Sequence, residues 1–206
     1  MDCKWLIGID EAGRGPLAGP VSVGLVLVPT NFDWGLIPGV GDSKQLSEKK
    51  REAIFKQAQV LQKEGKLQYV VEMVSASKID SDGISVCIKK SIVKGLKTLI
   101  VSRLNLVAEK VMVKLDGSLR APDEYVHQET IIKGDSKEKV IGLASIMAKV
   151  TRDRYMTKVA SNPSFKVYDF ARHKGYGTKA HRDSIAQNGL STQHRATYCR
   201  NIVFVV

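Results

Sequence analysis

The chain has 206 residues, a formal net charge of +11 at pH 7 and a hydrophobic content of 43%. This length and composition are ordinary for one globular domain with a proper core. No run approaches the roughly 20 apolar residues of a membrane helix, so we expect no membrane segment. Lys and Arg outnumber Asp and Glu by 32 to 21, an excess that suits a polyanionic partner such as nucleic acid.

The cysteines and the N-terminus favour the cytoplasm. Cys3, Cys87 and Cys199 are odd in number and lack the spacing of a metal site, so we expect free thiols in a reducing compartment. The first residues also lack the basic segment and apolar core of a secretory signal. We therefore expect a cytoplasmic protein.

The first predicted strand leads directly into two adjacent carboxylates. The apolar run 5–9 predicts a short buried strand, and Asp10 and Glu11 follow it. Adjacent like charges raise each other's pKa, and a divalent cation held by carboxylates is the usual compensation. The glycines of the next turn allow backbone N–H groups to approach a ligand, and Arg14 offers a fork that fits phosphate. This stretch predicts part of a metal-dependent phosphodiester site.

Two other structures also fit this turn. An Asp-Glu-Gly sequence is often only a solvated turn. The spacing Gly13-x-Gly15-x-x-Ala18 matches the dinucleotide-binding fingerprint, which requires a helix to begin in the glycine turn. Residues 20–29 instead alternate apolar positions and are rich in β-branched residues, which predicts a strand. The two carboxylates therefore lie at a β-hairpin, and the dinucleotide interpretation fails.

A loop, a helix and a third strand come next. Residues 30–46 predict a loop because they contain Pro-Gly and Gly-Asp turn signals. Ser47 is expected to cap a helix that runs to about Lys63. Residues 67–74 predict the third strand, and residues 75–104 carry a second helical pattern.

Acidic residues recur after later strands. Residues 111–115 alternate as a half-buried strand and deliver Asp116 at its carboxyl end. Ligands of open α/β sheets gather at such ends, so this acid strengthens the signal from the first pair. Asp135 follows a last strand predicted at 129–133 and precedes a helix predicted over 137–160. Taken alone, an Asp before a helix is a routine N-cap. That helix has a small-residue face suited to close packing on the sheet, formed by Gly142, Ala144, Ser145 and Ala148.

The remaining residues are basic and rich in aromatics, which suits contact with nucleic acid. Two short helices are predicted at 165–174 and 178–188. The histidines of this segment lack a suitably spaced carboxylate or cysteine to complete a zinc site. The apolar tail 202–206 is expected to pack on the body, and it lacks the glutamine usual in clamp-binding peptides.

Residues 8–21, Gly-Ile-Asp-Glu-Ala-Gly-Arg-Gly-Pro-Leu-Ala-Gly-Pro-Val, closely resemble the N-terminal signature of ribonuclease HII. Further blocks resemble the family in the same order and extend the match over nearly the whole chain: Asp42-Ser43-Lys44-Gln45-Leu46, Asp116-Gly117, Lys133-Gly134-Asp135, 144–153 and 174–178. Two positions depart from the family. Gly83 stands where the family has an asparagine that helps to hold the DNA strand, and Ser118 also replaces an asparagine.

The resemblance implies an α/β ribonuclease H-like fold, in which helices flank a five-stranded mixed sheet. It implies a catalytic domain over residues 1–160 and a small C-terminal helical subdomain over 161–206 that binds substrate. Ribonuclease HII is favoured over ribonuclease HIII, which usually has an extra N-terminal domain, because the first strand here begins at about residue 4. A monomer is expected.

The resemblance also implies the chemistry. Four acids from separate segments would hold two divalent ions, Mg²⁺ or Mn²⁺, and would be catalytic: Asp10, Glu11, Asp116 and Asp135. The enzyme would cleave the RNA strand of RNA:DNA hybrids, and would cut 5′ to single ribonucleotides embedded in duplex DNA. The expected products are 5′-phosphate and 3′-OH ends.

Substrate recognition would depend on the 2′-OH, the group that distinguishes RNA from DNA. The resemblance assigns recognition of the 2′-OH to the turn, through Gly13, Arg14 and Gly15. It places Lys44 beside the metals and the scissile phosphate and Tyr176 against the next sugar, and Ser43 is expected as a further substrate-binding residue. Two alternatives stay open. The chain could be a DNA nuclease of the same fold, or a nucleic-acid-binding module without activity.

Overall fold

The computed structural model describes residues 3–41, 43, 45–102 and 106–205. Within these residues, five strands form one mixed sheet in the order β3-β2-β1-β4-β5. Their bounds are β1 (Trp5–Ala12), β2 (Val21–Pro29), β3 (Gln68–Val74), β4 (Val111–Asp116) and β5 (Gln128–Ile131). β2 pairs antiparallel with β1 and β3, whereas β4 lies parallel to β1 and β5. The predicted five-stranded mixed sheet is confirmed.

Helices cover both faces of this sheet. They are α1 (Glu48–Lys63), α2 (Ala76–Asp82), α3 (Ile84–Val101), α4 (Gly134–Lys137), α5 (Lys139–Ala160), α6 (Phe170–His173) and α7 (Lys179–Asn188). Ser47 caps α1 as predicted, because its side chain accepts a hydrogen bond from the Lys50 amide at 3.3 Å. One face of the sheet packs against α2 and α3, and the other against α1 and α5. Val21 to Val28 are all buried, as expected for a strand covered on both faces.

Helix α5 lies unusually close to the two central antiparallel strands. A Cβ on Gly8 would lie 2.3 Å from the Val140 carbonyl oxygen, and a Cβ on Gly24 would lie 2.3 Å from the Ala144 carbonyl oxygen. Only glycine fits at either strand position, because the obstacle is helix backbone that cannot rotate away. The predicted close packing of the helix on the sheet is confirmed, and glycines of the sheet make it possible.

Three helix predictions were wrong in their bounds. The helix predicted over 75–104 is divided into α2 and α3 at Gly83, whose φ of +82° favours glycine; the predicted end at residue 104 lies outside the described residues. The helix predicted over 137–160 begins at Lys139, because Glu138 has an extended backbone. Residues 165–174 form a 3₁₀ turn and then α6, separated by Asp169 at φ +49°.

The strand bounds also differ at two places that matter for the site. β1 extends to Ala12, so both adjacent carboxylates lie within the strand, next to the hairpin. β5 ends at Ile131 instead of residue 133, because Lys133 adopts a left-handed conformation with φ +55°.

The C-terminal residues pack less completely than expected. A third apolar cluster joins them to the body and includes Ala18, Met156 and Phe170. The tail was predicted to pack on the body, but Val203 and Val205 are 84% and 72% exposed. The Val205 amide donates a hydrogen bond to the Ala186 carbonyl oxygen, and Ile202 packs against the third cluster, whereas the side chains of Val203 and Val205 are left in solvent. In the part of the chain that the structure describes, no helix is long and apolar enough to cross a membrane.

Candidate active site

The two adjacent carboxylates lie near the carboxyl end of β1. Asp10 pairs in register with Gly24 of β2 and is only 4% exposed. The Glu11 amide donates a hydrogen bond to Asp10 Oδ1 at 2.7 Å. Successive side chains of a strand point to opposite faces of the sheet, so the side chains of Asp10 and Glu11 leave β1 on different faces.

Burial makes Asp10 an unusually weak acid. Removal from water is the main cause that raises the pKa of Asp10 to about 8, and the negative charges of Glu11 and Asp116 contribute to this rise. A hydrogen bond from the Ser145 side chain acts in the opposite direction. A carboxylate in this environment is stabilised by any cation that approaches it.

Glu11 is more accessible and has a cationic partner. Burial raises its pKa, and Arg14 opposes that rise through an ion pair in which Nη1 lies 3.0 Å from Oε1. The Arg14 side chain is about half exposed, so solvent screens this pair and its contribution to stability is small. Arg14 therefore remains available to a ligand in the cavity.

The other two predicted acids meet at the carboxyl end of the neighbouring parallel strand, β4. β4 lies beside β1 with Leu115 opposite Ile9, so Asp116 and Asp10 occupy equivalent strand ends. The Gly134 amide donates a hydrogen bond to Asp116 Oδ1 at 2.6 Å, which brings the following residue, Asp135, to the same edge.

Asp135 itself is 4% exposed. It does not cap a helix, contrary to the simplest interpretation of its sequence context. It lies inside the one-turn helix α4, and Lys133 occupies the N-cap position.

One cavity of about 240 Å³ collects most of the predicted site residues. Its lining comprises Asp10, Glu11, Ala12, Gly13, Arg14, Gly15, Ser43, Asp116, Ser145, Lys149 and Tyr176. Three of the four predicted acids and five of the six predicted substrate contacts are thus brought together. Asp135 lies one residue beyond the amide that binds Asp116 and is not part of the lining. Lys44 lies outside the described residues.

The donor chemistry of this cavity fits a hard divalent cation. Carboxylate oxygens are the ligands that Mg²⁺ and Mn²⁺ prefer. Among the described residues, no group of three His, Cys, Asp or Glu side chains is arranged to surround one ion. Such a group is not required, because Mg²⁺ commonly takes one or two carboxylates and completes its shell with water and substrate phosphate.

Two residues of α5 in this cavity were not predicted as site residues. Ser145 hydrogen-bonds Asp10, and its Oγ lies 2.7 Å from Ser43 Oγ in a buried contact. Lys149 forms an ion pair with Asp153 at 2.7 Å. The available signal was a serine and a lysine one helical turn apart, on a helix segment that is otherwise small or apolar.

Tyr176 reaches the cavity from the C-terminal residues. Tyr176 is 44% exposed, so part of it is accessible to a ligand. Lys149 Nζ and Arg152 Cζ lie 5.9 Å and 5.7 Å from the ring centroid, within the range of cation–π attraction. An aromatic ring beside an acidic, glycine-lined cavity suits stacking on a sugar or a base.

Known proteins share this arrangement of sequence and fold. A sequence model described as Ribonuclease HII matches residues 7–201. A ribonuclease HII of Endomicrobium trichonymphae is 40% identical over 191 residues, which cover 93% of this chain and 83% of that protein. The crystal structure of the ribonuclease H2 from Pyrococcus horikoshii OT3 superposes over 96% of both chains with a TM-score of 0.70 at 24% identity. Bst-RNase HIII in complex with Mn²⁺ matches 96% of this chain and 68% of its own, with a TM-score of 0.71 at 16% identity.

Proposed function

The chain belongs to the ribonuclease HII family, and on that premise we propose that it cleaves duplex DNA on the 5′ side of single embedded ribonucleotides. Family membership makes it a ribonuclease H, a hydrolase acting on the RNA strand of RNA:DNA hybrids. The proposal extends this activity to isolated ribonucleotides and gives 5′-phosphate and 3′-OH products. One observation carries it: a single cavity presents carboxylates, a glycine-rich turn and an exposed tyrosine ring.

We assign the ion-binding role to the acids at the ends of β1 and β4 and to the buried acid after β5: Asp10, Glu11, Asp116 and Asp135. When bound, two divalent ions in such a site supply positive charge that activates the attacking water and stabilises the departing 3′ oxygen. Mg²⁺ and Mn²⁺ both suit the donors. The crystal structure of Bst-RNase HIII contains Mn²⁺, so both metals belong in the test.

The remaining groups of the cavity have supporting roles in this proposal. Ser145 orients the Asp10 carboxylate through its hydrogen bond. The exposed guanidinium of Arg14 offers donors to a phosphate, and the backbone of Gly13 and Gly15 can approach the ribose because neither has a side chain. Tyr176 would lie against the neighbouring sugar.

We also propose that residues 161–206 act as a substrate-binding subdomain attached to a catalytic domain over 1–160. Tyr176 supports this division of roles, because it comes from the C-terminal segment and lines the same cavity as the acids. The basic residues of this segment are expected to contact the phosphates of the duplex, which would make binding weaker at higher salt.

The test compares three labelled duplexes of equal length: all DNA, DNA with one ribonucleotide, and an RNA:DNA hybrid. Each is incubated with Mg²⁺ or Mn²⁺ and with wild type, Asp116→Asn or Asp33→Asn. Asp33 is an exposed acid that follows β2, at the end of the sheet opposite to the carboxyl end of β1, and serves as the matched control. Metal-dependent cutting 5′ to the ribonucleotide, lost only in Asp116→Asn, is the expected result.

The other outcomes are equally informative. Equal cutting of the all-DNA duplex would identify a DNA nuclease of the same fold. Cutting of the hybrid without cutting at the single ribonucleotide would refute the proposed extension and leave the family activity intact. Binding of all three duplexes without any cutting would indicate a nucleic-acid-binding module.

A further inference from the structure

Two arginines are completely buried beneath the glycine-rich turn. Arg152 of α5 and Arg195 of the C-terminal segment are both 0% exposed. Burial lowers the pKa of each guanidinium, to about 10 in Arg152. A buried charge is costly unless it is fully hydrogen-bonded, so the partners of these side chains indicate what the charges hold in place.

Arg195 binds the turn itself. Its Nη2, Nη1 and Nε donate to the carbonyl oxygens of Gly13 at 2.6 Å, Arg14 at 2.9 Å and Gly19 at 3.0 Å. In a trans peptide the C=O and the next N–H point in opposite directions. The amides of Arg14 and Gly15 therefore point away from the buried guanidinium, and both residues line the cavity.

Arg152 joins the turn to a different segment. Its Nε and Nη2 donate to the carbonyl oxygens of Pro20 at 2.8 Å and Ala18 at 3.0 Å. Its Nη1 donates to the carbonyl oxygen of Lys174 at 2.9 Å, two residues before Tyr176. The same guanidinium lies 5.7 Å from the Tyr176 ring centroid.

The two segments that Arg152 joins are also in direct backbone contact. The amides of Leu17 and Ala18 both donate to the Gly175 carbonyl oxygen, at 2.9 and 3.2 Å. A Cβ on Gly13 would lie 2.1 Å from Arg152 Nε, and a Cβ on Gly175 would lie 2.3 Å from the Ala18 carbonyl oxygen. The distance between the turn and Tyr176 is therefore fixed by a junction with no spare volume.

We propose that Arg152 is a positioning residue for specificity, which fixes the distance between the turn that contacts the ribonucleotide and the tyrosine that contacts the next sugar. This inference rests on the proposed function. A duplex with one ribonucleotide can bind in only one register that places the ribose at the turn and the next sugar at Tyr176. A continuous RNA strand places a ribose at the turn in every register, so it depends less on that distance.

The test is the variant Arg152→Lys. Lysine keeps the positive charge, but one ammonium cannot replace a planar fork that spans carbonyls of two segments. Misplacement by about 1 Å can cost on the order of 100-fold in rate. We therefore expect kcat/KM for the single-ribonucleotide duplex to fall about tenfold more than kcat/KM for the hybrid. Arg154→Lys is the matched control, because Arg154 lies on the same helix but pairs with Glu52 at the surface. It should leave the ratio unchanged.

A double-mutant cycle separates positioning from general loss of structure. In a Tyr176→Ala background, Arg152→Lys should no longer change the ratio between the two substrates, since the group it positions is absent. An unchanged ratio in Arg152→Lys itself, with the fold intact by circular dichroism, would overturn the inference. If wild type does not cut the single-ribonucleotide duplex at all, the proposed function fails instead.

A second arginine variant covers the case in which Arg152→Lys does not fold. Arg195→Lys loosens the turn but leaves the hydrogen bond from Arg152 to the Lys174 carbonyl oxygen in place, so it should lower cleavage of both ribonucleotide-containing duplexes by the same factor. A selective loss on the single-ribonucleotide duplex in this variant would contradict the assignment of spacing to Arg152.

Discussion

His181 and His194 share a hydrogen bond between their Nε2 atoms, 3.0 Å apart, and its direction is fixed from both ends. The Ser191 amide must donate to His194 Nδ1, at 2.9 Å, so the proton of His194 is on Nε2. His181 Nε2 then accepts, which leaves His181 Nδ1 to donate to the Tyr176 carbonyl oxygen at 2.9 Å. Both rings are neutral in this arrangement, and the chain of bonds ends on the backbone of Tyr176.

The hydrogen bonds of a third histidine, His173, also indicate which of its ring nitrogens carries the proton. His173 stacks on His181 with ring centroids 4.1 Å apart, accepts from the Gly175 amide and donates to the Tyr168 carbonyl oxygen. Burial lowers its pKa. One nitrogen of each ring accepts a hydrogen bond, so protonation of any ring would place its new N–H opposite a donor that is already there. These three histidines, His173, His181 and His194, form a neutral support behind Tyr176.

We predict that this histidine support makes the protein less stable in mild acid. Burial lowers the pKa of His181 and of His194 to about 4, whereas the unfolded chain takes up these protons near pH 6.5. Between these values the two rings bind more protons in the unfolded state, so their contribution to the free energy of unfolding falls as pH falls from 6.5 to 4. The raised pKa of Asp10 acts in the opposite direction, so the histidine effect is read from the difference between wild type and a histidine variant. Each of the two rings should account for a fall of up to about 3 kcal/mol over this range.

Urea denaturation at pH 7.5, 6.0 and 5.0 measures this effect. His194→Gln should show a smaller loss of stability across this range than wild type. His127→Gln, which changes a histidine on the segment before β5, should keep the wild-type dependence. Identical pH dependence in wild type and His194→Gln would show that the histidine support does not control stability in acid.

We predict that Asp116→Asn separates activity from stability. Asparagine retains an oxygen that can accept the Gly134 amide, now at 2.6 Å, and it removes one of the negative charges near Asp10. The free energy of unfolding should therefore stay within about 1 kcal/mol of wild type, while cleavage falls at least about 100-fold. Thermal unfolding and single-turnover cleavage test the two parts, and a large loss of stability would show that Asp116 is chiefly a structural residue.

We predict that Ser145→Ala weakens both the fold and the site. It removes the hydrogen bond to Asp10 and leaves Ser43 Oγ buried without its 2.7 Å contact. The expected cost is about 1–3 kcal/mol of stability, together with lower metal affinity measured by titration calorimetry. Ser161→Ala, at the exposed end of the same helix, is the control. Wild-type metal affinity in Ser145→Ala would contradict the orienting role of Ser145.

We predict that Gly24→Ala destabilises the protein by about 3 kcal/mol or more, because the new methyl group would meet the Ala144 carbonyl oxygen at 2.3 Å. Gly41→Ala is the control, since a Cβ there meets nothing within 4 Å. Equal denaturation midpoints for the two variants would mean that α5 can move away from the sheet at little cost.

The strands and the acids could be predicted because their signals are local. The alternation of 111–115 and the acid after it are both visible in a short window, and so is the strand before Asp10. The break at Gly83 was harder, because a glycine inside a helical pattern is tolerated in many helices and only φ distinguishes the two cases. The left-handed backbone at Lys133 has no sequence signature, so the predicted end of β5, residue 133, lies beyond its actual end at Ile131.

The parts of the site that escaped prediction depend on distant contacts. Ser145 appeared as one small residue of a packing face, and nothing local indicates that Asp10 is its partner. Arg152 and Arg195 look like ordinary surface arginines in sequence. Their burial follows from carbonyl groups 132 and 176 residues away along the chain, which only the folded backbone brings to them.

The contact of α5 with Gly8 and Gly24 has a consequence for how the protein opens. The same helix supplies Ser145 to Asp10 and Arg152 to the turn, while its backbone lies directly on the central strands. A fluctuation that lifted α5 would therefore disrupt the core and the acid-lined cavity in one step. Amide hydrogens of β1, β2 and α5 should exchange with deuterium as one cooperative unit near the global unfolding limit, so partial unfolding would not expose Asp10 and Glu11 while the core stays closed.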